Sequence, residues 1–373
     1  MKIKSSLPIL LLILAAGCKP TKTTLPGQIP SAENFQQEID GKHTDLFILK
    51  NKQGMKAAIT NYGGRLVSLL VPNAKGDTVD VVVGFNDLDG YKDSSEPYFG
   101  ATIGRYGNRI AKGKFSIDGK AYQIIPNNGP NALHGGKQGF QYRVWDAKRI
   151  GDSVLVLKYT SKAGEEGFPG KLNAMVTYTL THDNHLELEY SASTDEPTIV
   201  NLTNHAFFNL NGAGSILSHN LMINANGYTP VGSTLIPTGA LASVKGTPFD
   251  FRISEKIGSR INADNQQLKF GKGYDHNYVL NPSKMMPAAV VTGDLSGITM
   301  EVYTTEPGLQ FYSGNFMQSK NKLRTGLDDF RTAFCLETQH FPDSPNHPNF
   351  PNTVLRPGQV YKSTSIYTFS AAK

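Results

Sequence analysis

The chain has 373 residues, of which 39% are hydrophobic and 18% charged, and it contains 37 Gly, 21 Pro and only 2 Cys. This composition is too apolar for a disordered chain and too poor in cysteine for a disulfide scaffold, so it predicts a globular protein. The formal charge of +6 comes from 37 basic and 31 acidic residues that form no block of five like charges, so no nucleic-acid partner is expected.

The first residues have the pattern of an export signal. Lys2 and Lys4 precede an apolar run over 7–16. A run of this length is typical of a signal-peptide core and is too short to span a bilayer, which takes about 20 residues.

The apolar run ends in Leu-Ala-Ala-Gly-Cys at 14–18, which resembles the lipobox of bacterial lipoproteins, although Ala15 stands where that motif usually has Leu. We therefore expect a signal peptide over 1–17 and lipidation of Cys18. The exported protein would then be held on a bacterial membrane by its lipid alone and face the periplasm. The alternative is an ordinary signal peptide with an incidental cysteine.

A Lys-, Thr- and Pro-rich segment follows the cysteine at 19–30 and is predicted to be an extended tether, with a short helix over 31–39. We assign 18–40 to the anchor and tether. Residues 41–373 are assigned to a single domain.

From residue 44 onward the hydrophobic pattern has a period of two. In 185–192 every second residue is apolar, which is typical of a half-buried antiparallel strand. Asp118-Gly119 and Asp183-Asn184 stand between such runs, as two-residue hairpin loops do. Further runs of this kind lie at 79–85, 153–160, 174–180, 299–304 and 361–369.

Helical spacing is rare in the chain. Ile253, Ile257 and Ile261 recur at every fourth residue and predict one short helix before Asn262. The pattern as a whole predicts a large all-β sandwich of antiparallel strands.

Several common catalytic motifs are absent from the sequence: GxSxG, HExxH, CxxC, the phosphate-binding P-loop and GxGxxG. Cys335 lies in an apolar run and is expected to be an inert core thiol. The histidines lack the paired spacing of metal ligands, so no metal is expected in catalysis, although Asp89 and Asp343 lie in loops where a structural Ca²⁺ could bind.

Six polar segments stand out because they combine Arg, Asn, Asp, Gln, Glu and His with Gly and aromatic residues. Hydroxyl groups need directional donors and acceptors, and the C–H face of a sugar ring packs on aromatic side chains. The composition of these segments therefore indicates a carbohydrate ligand. They are 104–110, 127–136, 201–210, 274–277, 307–312 and 336–343.

Together and in this order, the six segments resemble the aldose 1-epimerase (galactose mutarotase) family. The resemblance covers about residues 44–369 and includes the framework segments 166–170, 236–239, 246–251 and 355–358. It implies the galactose mutarotase-like β-sandwich, a supersandwich with the sugar in a cleft on one sheet. It also implies interconversion of the α and β anomers of free hexoses such as glucose and galactose. We expect a monomer that needs no cofactor for catalysis.

The resemblance also assigns roles to individual residues. Glu337 would be the base at the anomeric hydroxyl and His205 the acid at the ring oxygen, with His134 stabilising charge at that oxygen. The sugar would be bound by these three residues together with Asn108, Arg109, Phe207, Asp275 and Gln310. One acid and one base suffice to open and reclose a hemiacetal ring.

Other interpretations of these residues remain open. Glu337 could be a structural carboxylate paired with an arginine, and His205 could be a core histidine. Arg105 lies four residues before Arg109, and one of the two could serve only to hold the loop. His276, His340 and His347 are expected in loops or at the surface.

Two other protein classes fit the same segments. A glycoside hydrolase would need a second carboxylate, for which Asp275 is the candidate. A non-catalytic sugar-binding lipoprotein would lack the acid or the base, and both are present here.

Overall fold

The computed structural model describes residues 27–283 and 285–371. The predicted signal peptide, Cys18 and the first part of the tether lie outside the described residues.

The regular secondary structure of the described chain is almost entirely β-strand, with two short α-helices, α1 (Leu88–Asp93) and α2 (Gln266–Gly271). The first strands are β1 (Glu38–Ile39), β2 (Lys42–His43), β3 (Leu46–Lys50), β4 (Lys56–Thr60), β5 (Arg65–Pro72), β6 (Thr78–Asp80), β7 (Thr102–Ile103), β8 (Arg109–Ile110), β9 (Lys114–Ile117), β10 (Lys120–Gln123), β11 (Ala132–Leu133), β12 (Asp146–Ile150), β13 (Val154–Ser161), β14 (Leu172–Leu180) and β15 (His185–Thr194). The remaining strands are β16 (Thr198–Ile199), β17 (Thr203–Asn204), β18 (Asn220–Ile223), β19 (Ala225–Tyr228), β20 (Ala242–Ser243), β21 (Glu255–Lys256), β22 (Asp275–Leu280), β23 (Ala289–Thr292), β24 (Ile298–Thr304), β25 (Gly308–Tyr312), β26 (Lys322–Leu323), β27 (Gly326–Leu327), β28 (Cys335–Gln339), β29 (Val354–Leu355) and β30 (Tyr361–Ala371).

Three antiparallel sheets carry the architecture. The largest has nine strands in the order β12-β13-β14-β15-β30-β24-β23-β18-β21. A five-stranded sheet has the order β20-β19-β22-β25-β28, and a four-stranded sheet has the order β3-β4-β5-β6. One hydrophobic core joins side chains of all three sheets, among them Leu188, Phe311 and Ile59. This arrangement confirms the predicted all-β sandwich.

The period-two pattern predicted the longest strands closely. In β15, Leu186, Leu188, Tyr190 and Ala192 are buried, as expected. Asp118-Gly119 joins β9 to β10 with positive φ at both residues (50° and 81°), which is the geometry of a two-residue hairpin turn. The loop between β14 and β15 is longer than predicted and spans residues 181–184.

The predicted helices are wrong. Ile253 is exposed, and only a short 3-10 turn forms at Ile257–Ser259, because the intervening backbone enters strand β21. The segment predicted as a helix over 31–39 contains a 3-10 turn at Ala32–Phe35 and then β1.

The described part of the predicted tether packs on the folded domain. Phe35 is fully buried in a cluster with Tyr91 and Phe99, and Ile29 packs against the same cluster. The folded part of the chain therefore begins before residue 41, because an apolar side chain in the 31–39 segment anchors it. Among the described residues, no helix is both long enough and apolar enough to cross a membrane.

Candidate active site

Three neighbouring strands of the five-stranded sheet, β22, β25 and β28, form the floor of a cleft. Gln310 lies directly opposite Glu337, and Tyr312 lies opposite both Cys335 and Asp275. Side chains opposite each other in an antiparallel pair share a face, and neighbours along a strand point to opposite faces. The polar residues therefore face away from the core that buries Leu309, Phe311 and Leu336.

Strands β8 and β11 carry a second part of the site. Leu133 pairs with Arg109 across these strands, so His134 follows beside Asn108. The backbone N–H of His134 donates to the carbonyl of Asn108 (3.1 Å), and the backbone N–H of Asn108 donates to Nδ1 of His134 (3.1 Å). The loop and the imidazole are thus fixed together.

His205 follows strand β17, and its backbone N–H donates to the carbonyl of Ala101 (2.9 Å). Its ring is stacked against Tyr98 and Phe207, with centroid distances of 5.6 and 5.0 Å. These contacts leave the imidazole edge directed towards Glu337.

The three segments enclose a cleft of about 810 Å³. Six of the eight predicted site residues line this cleft. Further residues that the sequence analysis did not single out also line it. The six are Asn108, Arg109, His134, His205, Asp275 and Glu337.

Phe207 does not line the cleft, so the prediction that its ring packs on the sugar is corrected. It is fully buried beneath His205 and packs on Phe99 at 4.2 Å. Because His205 and Phe207 are two residues apart, an extended backbone would point both side chains to the same face. Instead, the Phe207 ring lies in the hydrophobic cluster and packs beneath the imidazole of His205.

Gln310 lies behind Asp275 and does not line the cleft. Its Nε2 donates to Oδ1 of Asp275 (2.6 Å), and the other carboxylate oxygen of Asp275 lies 3.8 Å from Nη1 of Arg109. Gln310 and Arg109 therefore hold Asp275 from two sides. Direct binding of substrate by Gln310 stays a prediction.

The two arginines of segment 104–110 have different environments. Arg105 is buried and donates to the carbonyls of Pro169 and Gly170 (2.8 and 2.9 Å) and to Oγ of Ser161 (2.7 Å). Arg109 reaches the cleft. Arg105 thus holds the surrounding loops, whereas Arg109 is available to a ligand.

Oε1 of Glu337 lies 3.6 Å from Nε2 of His205. Burial, with the nearby charge of Asp275, raises the pKa of Glu337 well above its usual value. Burial lowers the pKa of His205 to about 3. Among the described residues, the basic side chain within salt-bridge distance of Glu337 is this histidine and not an arginine, so the interpretation of Glu337 as a structural carboxylate paired with an arginine does not fit.

His134, His205 and Glu337 each present a possible ligand atom within 4.8 Å of the others. A histidine that binds a metal through one nitrogen normally donates a hydrogen bond from the other. Nδ1 of His134 instead accepts a backbone N–H, so the proton of the neutral ring stands on Nε2 and faces the cleft. This arrangement suits a hydrogen-bond donor and does not fit a metal centre.

The acidic loop positions considered for Ca²⁺ have protein partners. Oδ1 of Asp343 accepts from the backbone of Ala111 (2.9 Å) and from Asn346 (2.6 Å), and Asp89 accepts from Lys92 (3.0 Å). The possible structural Ca²⁺ stays a prediction. His276, expected in a loop or at the surface, is instead buried in β22.

Sequence reasoning gave no role to several residues of the cleft. Among them are Glu96 and Tyr98, which lie outside the six selected segments, and Tyr312, which lies within the segment 307–312. Tyr98 contacts both His134 (4.5 Å between ring centroids) and His205. Burial raises the pKa of Glu96 to about 7. The Glu-Pro-Tyr-Phe-Gly segment at 96–100 has the same mixture of polar, aromatic and Gly residues as the six selected segments and could have been added to them on that ground.

The chain matches the aldose 1-epimerase family model over residues 45–368. It is 42% identical to galactose mutarotase of Rattus norvegicus over 353 residues, which cover 94% of this chain and 98% of that protein. It is 40% identical to aldose 1-epimerase of Escherichia coli K12 over 338 residues, covering 89% and 97% of the two chains. A solved aldose epimerase homologue from C. elegans superimposes with a TM-score of 0.81 at 32% identity, covering 88% and 100%.

The chain belongs to the aldose 1-epimerase family, and its fold is the galactose mutarotase-like β-sandwich. It is an enzyme that interconverts the anomers of a sugar and needs no cofactor for catalysis.

Proposed function

We propose that Glu337 and His205 are the base and the acid of the anomer interconversion. The observation that carries this proposal is their placement: Oε1 and Nε2 face each other at 3.6 Å beside a cleft lined with sugar-binding side-chain types. A positioned acid and a positioned base contribute typically ~10²- to 10⁴-fold each to a rate.

In the forward direction Glu337 takes the proton of the C1 hydroxyl while His205 gives a proton to the ring oxygen. The bond between C1 and the ring oxygen breaks, and a carbonyl forms at C1. Rotation about the C1–C2 bond presents the other face of the carbonyl. His205 then takes its proton back from the former ring oxygen as this oxygen attacks C1. Glu337 gives its proton to the carbonyl oxygen, and the ring closes as the other anomer.

The remaining side chains of the cleft bind and orient the sugar. His134 donates from Nε2 to an oxygen at the reacting end, because its Nδ1 is occupied by the Asn108 amide. Arg109 and Asp275 offer a donor and an acceptor to hydroxyls further round the ring. The proposed substrates are free aldohexoses such as glucose and galactose, and the rat relative is named for galactose.

The test is polarimetry with anomerically pure sugars. The enzyme should accelerate the decay of optical rotation of fresh α-glucose and α-galactose, and it should release no reducing ends from oligosaccharides. A glycoside hydrolase would give the opposite result. Asp275 is a poor candidate for the second hydrolytic carboxylate, because Arg109 and Gln310 already engage both of its oxygens.

We also propose that the protein is an exported lipoprotein, anchored through Cys18 and facing the periplasm as a monomer. The basic and apolar start and the Leu-Ala-Ala-Gly-Cys segment support this placement. The full chain should incorporate radiolabelled fatty acid and fractionate with membranes, and Cys18→Ser should abolish both. Incorporation of label into Cys18→Ser, or no label in the native chain, would contradict the proposal, and light scattering after detergent extraction would test the monomer.

A further inference from the structure

The two cleft histidines differ in what their Nδ1 atoms meet. Nδ1 of His134 faces the backbone N–H of Asn108 at 3.1 Å. A backbone N–H can only donate, so a proton on Nδ1 of His134 would point at another donor and make no hydrogen bond. His134 is therefore restricted to one neutral form that donates from Nε2.

Nδ1 of His205 instead lies 3.5 Å from Sγ of Cys335, within hydrogen-bond range for sulfur. A thiol is both a weak donor and a weak acceptor, and its S–H bond rotates freely. Sγ can therefore donate to the neutral imidazole and accept from the imidazolium. The same contact is compatible with both protonation states of the ring.

From this contrast we propose that Cys335 is a positioning residue that allows His205 to gain and lose its catalytic proton without moving. This inference rests on the proposed role of His205 as the acid. When the ring oxygen of the sugar takes the Nε2 proton, the neutral ring keeps its Nδ1 proton towards Sγ. When the ring instead carries its proton on Nε2 alone, the S–H bond turns and donates to Nδ1.

The surroundings of the ring support this role, because they fix its place. Tyr98 and Phe207 stack on the imidazole, and Cys335 is itself fully buried opposite Tyr312. A carboxylate in place of the thiol would hold the imidazolium too firmly, and an amide donor would forbid it. A thiol stabilises neither form strongly, as a group that must cycle between them requires.

Other titratable, charged or polar groups also act on His205. They are Glu337 at 3.6 Å, His134 with its ring centroid at 5.1 Å, the neighbouring rings of Tyr98 and Tyr312, the more distant charges of Arg65 and Arg109, and the backbone carbonyl of His205 itself. These groups are the same in every Cys335 variant.

Two substitutions of similar volume separate hydrogen bonding from packing. Cys335→Ser keeps a group that both donates and accepts, whereas Cys335→Val fills the space without a polar atom. We expect Cys335→Val to lower kcat ~10-fold, the upper end of what one net hydrogen bond contributes, with KM changed less than ~2-fold. Cys335→Ser should stay within ~3-fold of the native kcat.

The second readout is the ¹⁵N NMR spectrum of histidine-labelled full-length protein over a pH series. His205 should change its ring-nitrogen shifts in Cys335→Val and not in Cys335→Ser, while His134 stays constant as the internal control. Native kcat and native His205 shifts in Cys335→Val would overturn the proposal, and so would equal loss of kcat in both variants. If Cys335→Val does not fold, loss of kcat with altered His205 shifts in Cys335→Ser would overturn it, and native values there would support it.

The same assays on His205→Asn keep this inference apart from the proposed function. Near-native turnover in His205→Asn would remove the acid role of His205 itself. Low turnover in His205→Asn, together with native kcat and native His205 shifts in Cys335→Val, would refute only the role of the thiol.

Discussion

Oε1 of Glu337 and Nε2 of His205 lie 3.6 Å apart, and burial acts on the two groups in opposite directions. It raises the pKa of the carboxyl and lowers the pKa of the imidazole. In the empty site, burial therefore favours the neutral form of both side chains. The proposed mechanism needs an ionised Glu337 and a proton to give on His205, so we expect the bound sugar to favour that arrangement.

Glu337→Gln removes the proposed base and keeps the shape of the side chain. Turnover should fall by ~10²- to 10⁴-fold, because a neutral amide cannot take the C1 hydroxyl proton. Binding of galactose, measured by calorimetry, should survive within about tenfold. Near-native polarimetric rates in this variant would contradict the assignment of the base.

The pH dependence of kcat/KM should be bell-shaped with displaced limbs. The acid limb, where the pair takes up a second proton, should lie near pH 3, since burial lowers the pKa of His205 to about 3. The alkaline limb, where the shared proton leaves, should lie well above pH 4.5, the ordinary value for the Glu337 carboxyl. Polarimetry corrected for the uncatalysed rate at each pH measures both limbs, and an acid limb at pH 4.5, the ordinary pKa of a Glu carboxyl, would contradict the prediction.

Glu337 should also cost stability at neutral pH. Its folded-state pKa lies above the unfolded value of 4.5, so the native state binds this proton more tightly. Stability from this group is complete below pH 4.5 and is lost as the pH rises through the folded-state pKa. Glu337→Gln should therefore raise Tm by ~2 °C or more at pH 8 and much less at pH 4.

A matched control for that measurement is Glu187→Gln, on the solvent side of β15. It should leave Tm nearly unchanged at both pH values. A Tm difference for Glu337→Gln that does not grow with pH would show that the buried carboxyl is not the cause.

Arg105 and Arg109 should respond differently to replacement by lysine. Arg105→Lys breaks several buried hydrogen bonds to a charged donor, so the free energy of unfolding should fall by about 3 kcal/mol, measured by urea denaturation. Arg109→Lys should mainly raise KM, by ~10-fold, because the paired donors facing the cleft are lost. An exchange of these two effects would mean that the roles of the arginines are reversed.

The sequence predicted the strands well where one face of the sheet is buried and the other faces solvent. In β14, β15, β24 and β30 the alternation is clean, so the strand limits lie within two residues of the prediction. The failed helix at 253–261 shows the limit of periodicity. Ile257 and Ile261 are buried, but Ile253 has no core to contact and is 83% exposed.

The polar part of the site was predictable because Asn108, Arg109, His134, His205, Asp275 and Glu337 occur in recognisable segments. The direction in which an individual side chain points was not predictable from the sequence. Phe207 and Gln310 turn towards His205 and Asp275 instead of lining the cleft, and this depends on packing across different strands. The contact between Cys335 and His205 could not be predicted for the same reason, since 130 positions separate the two residues along the chain.

Strand β30 lies between β15 and β24, so the two halves of the largest sheet join only through a segment that follows every other strand of the described residues. During synthesis, β15 and β24 are made before β30, the strand that lies between them. Such distant pairings form slowly, because loops have to close before any contact compensates for the lost entropy. A chain whose main sheet cannot close before β30 is available stays unfolded for longer. This delay fits the proposed export, in which the chain passes a narrow translocation channel before it folds.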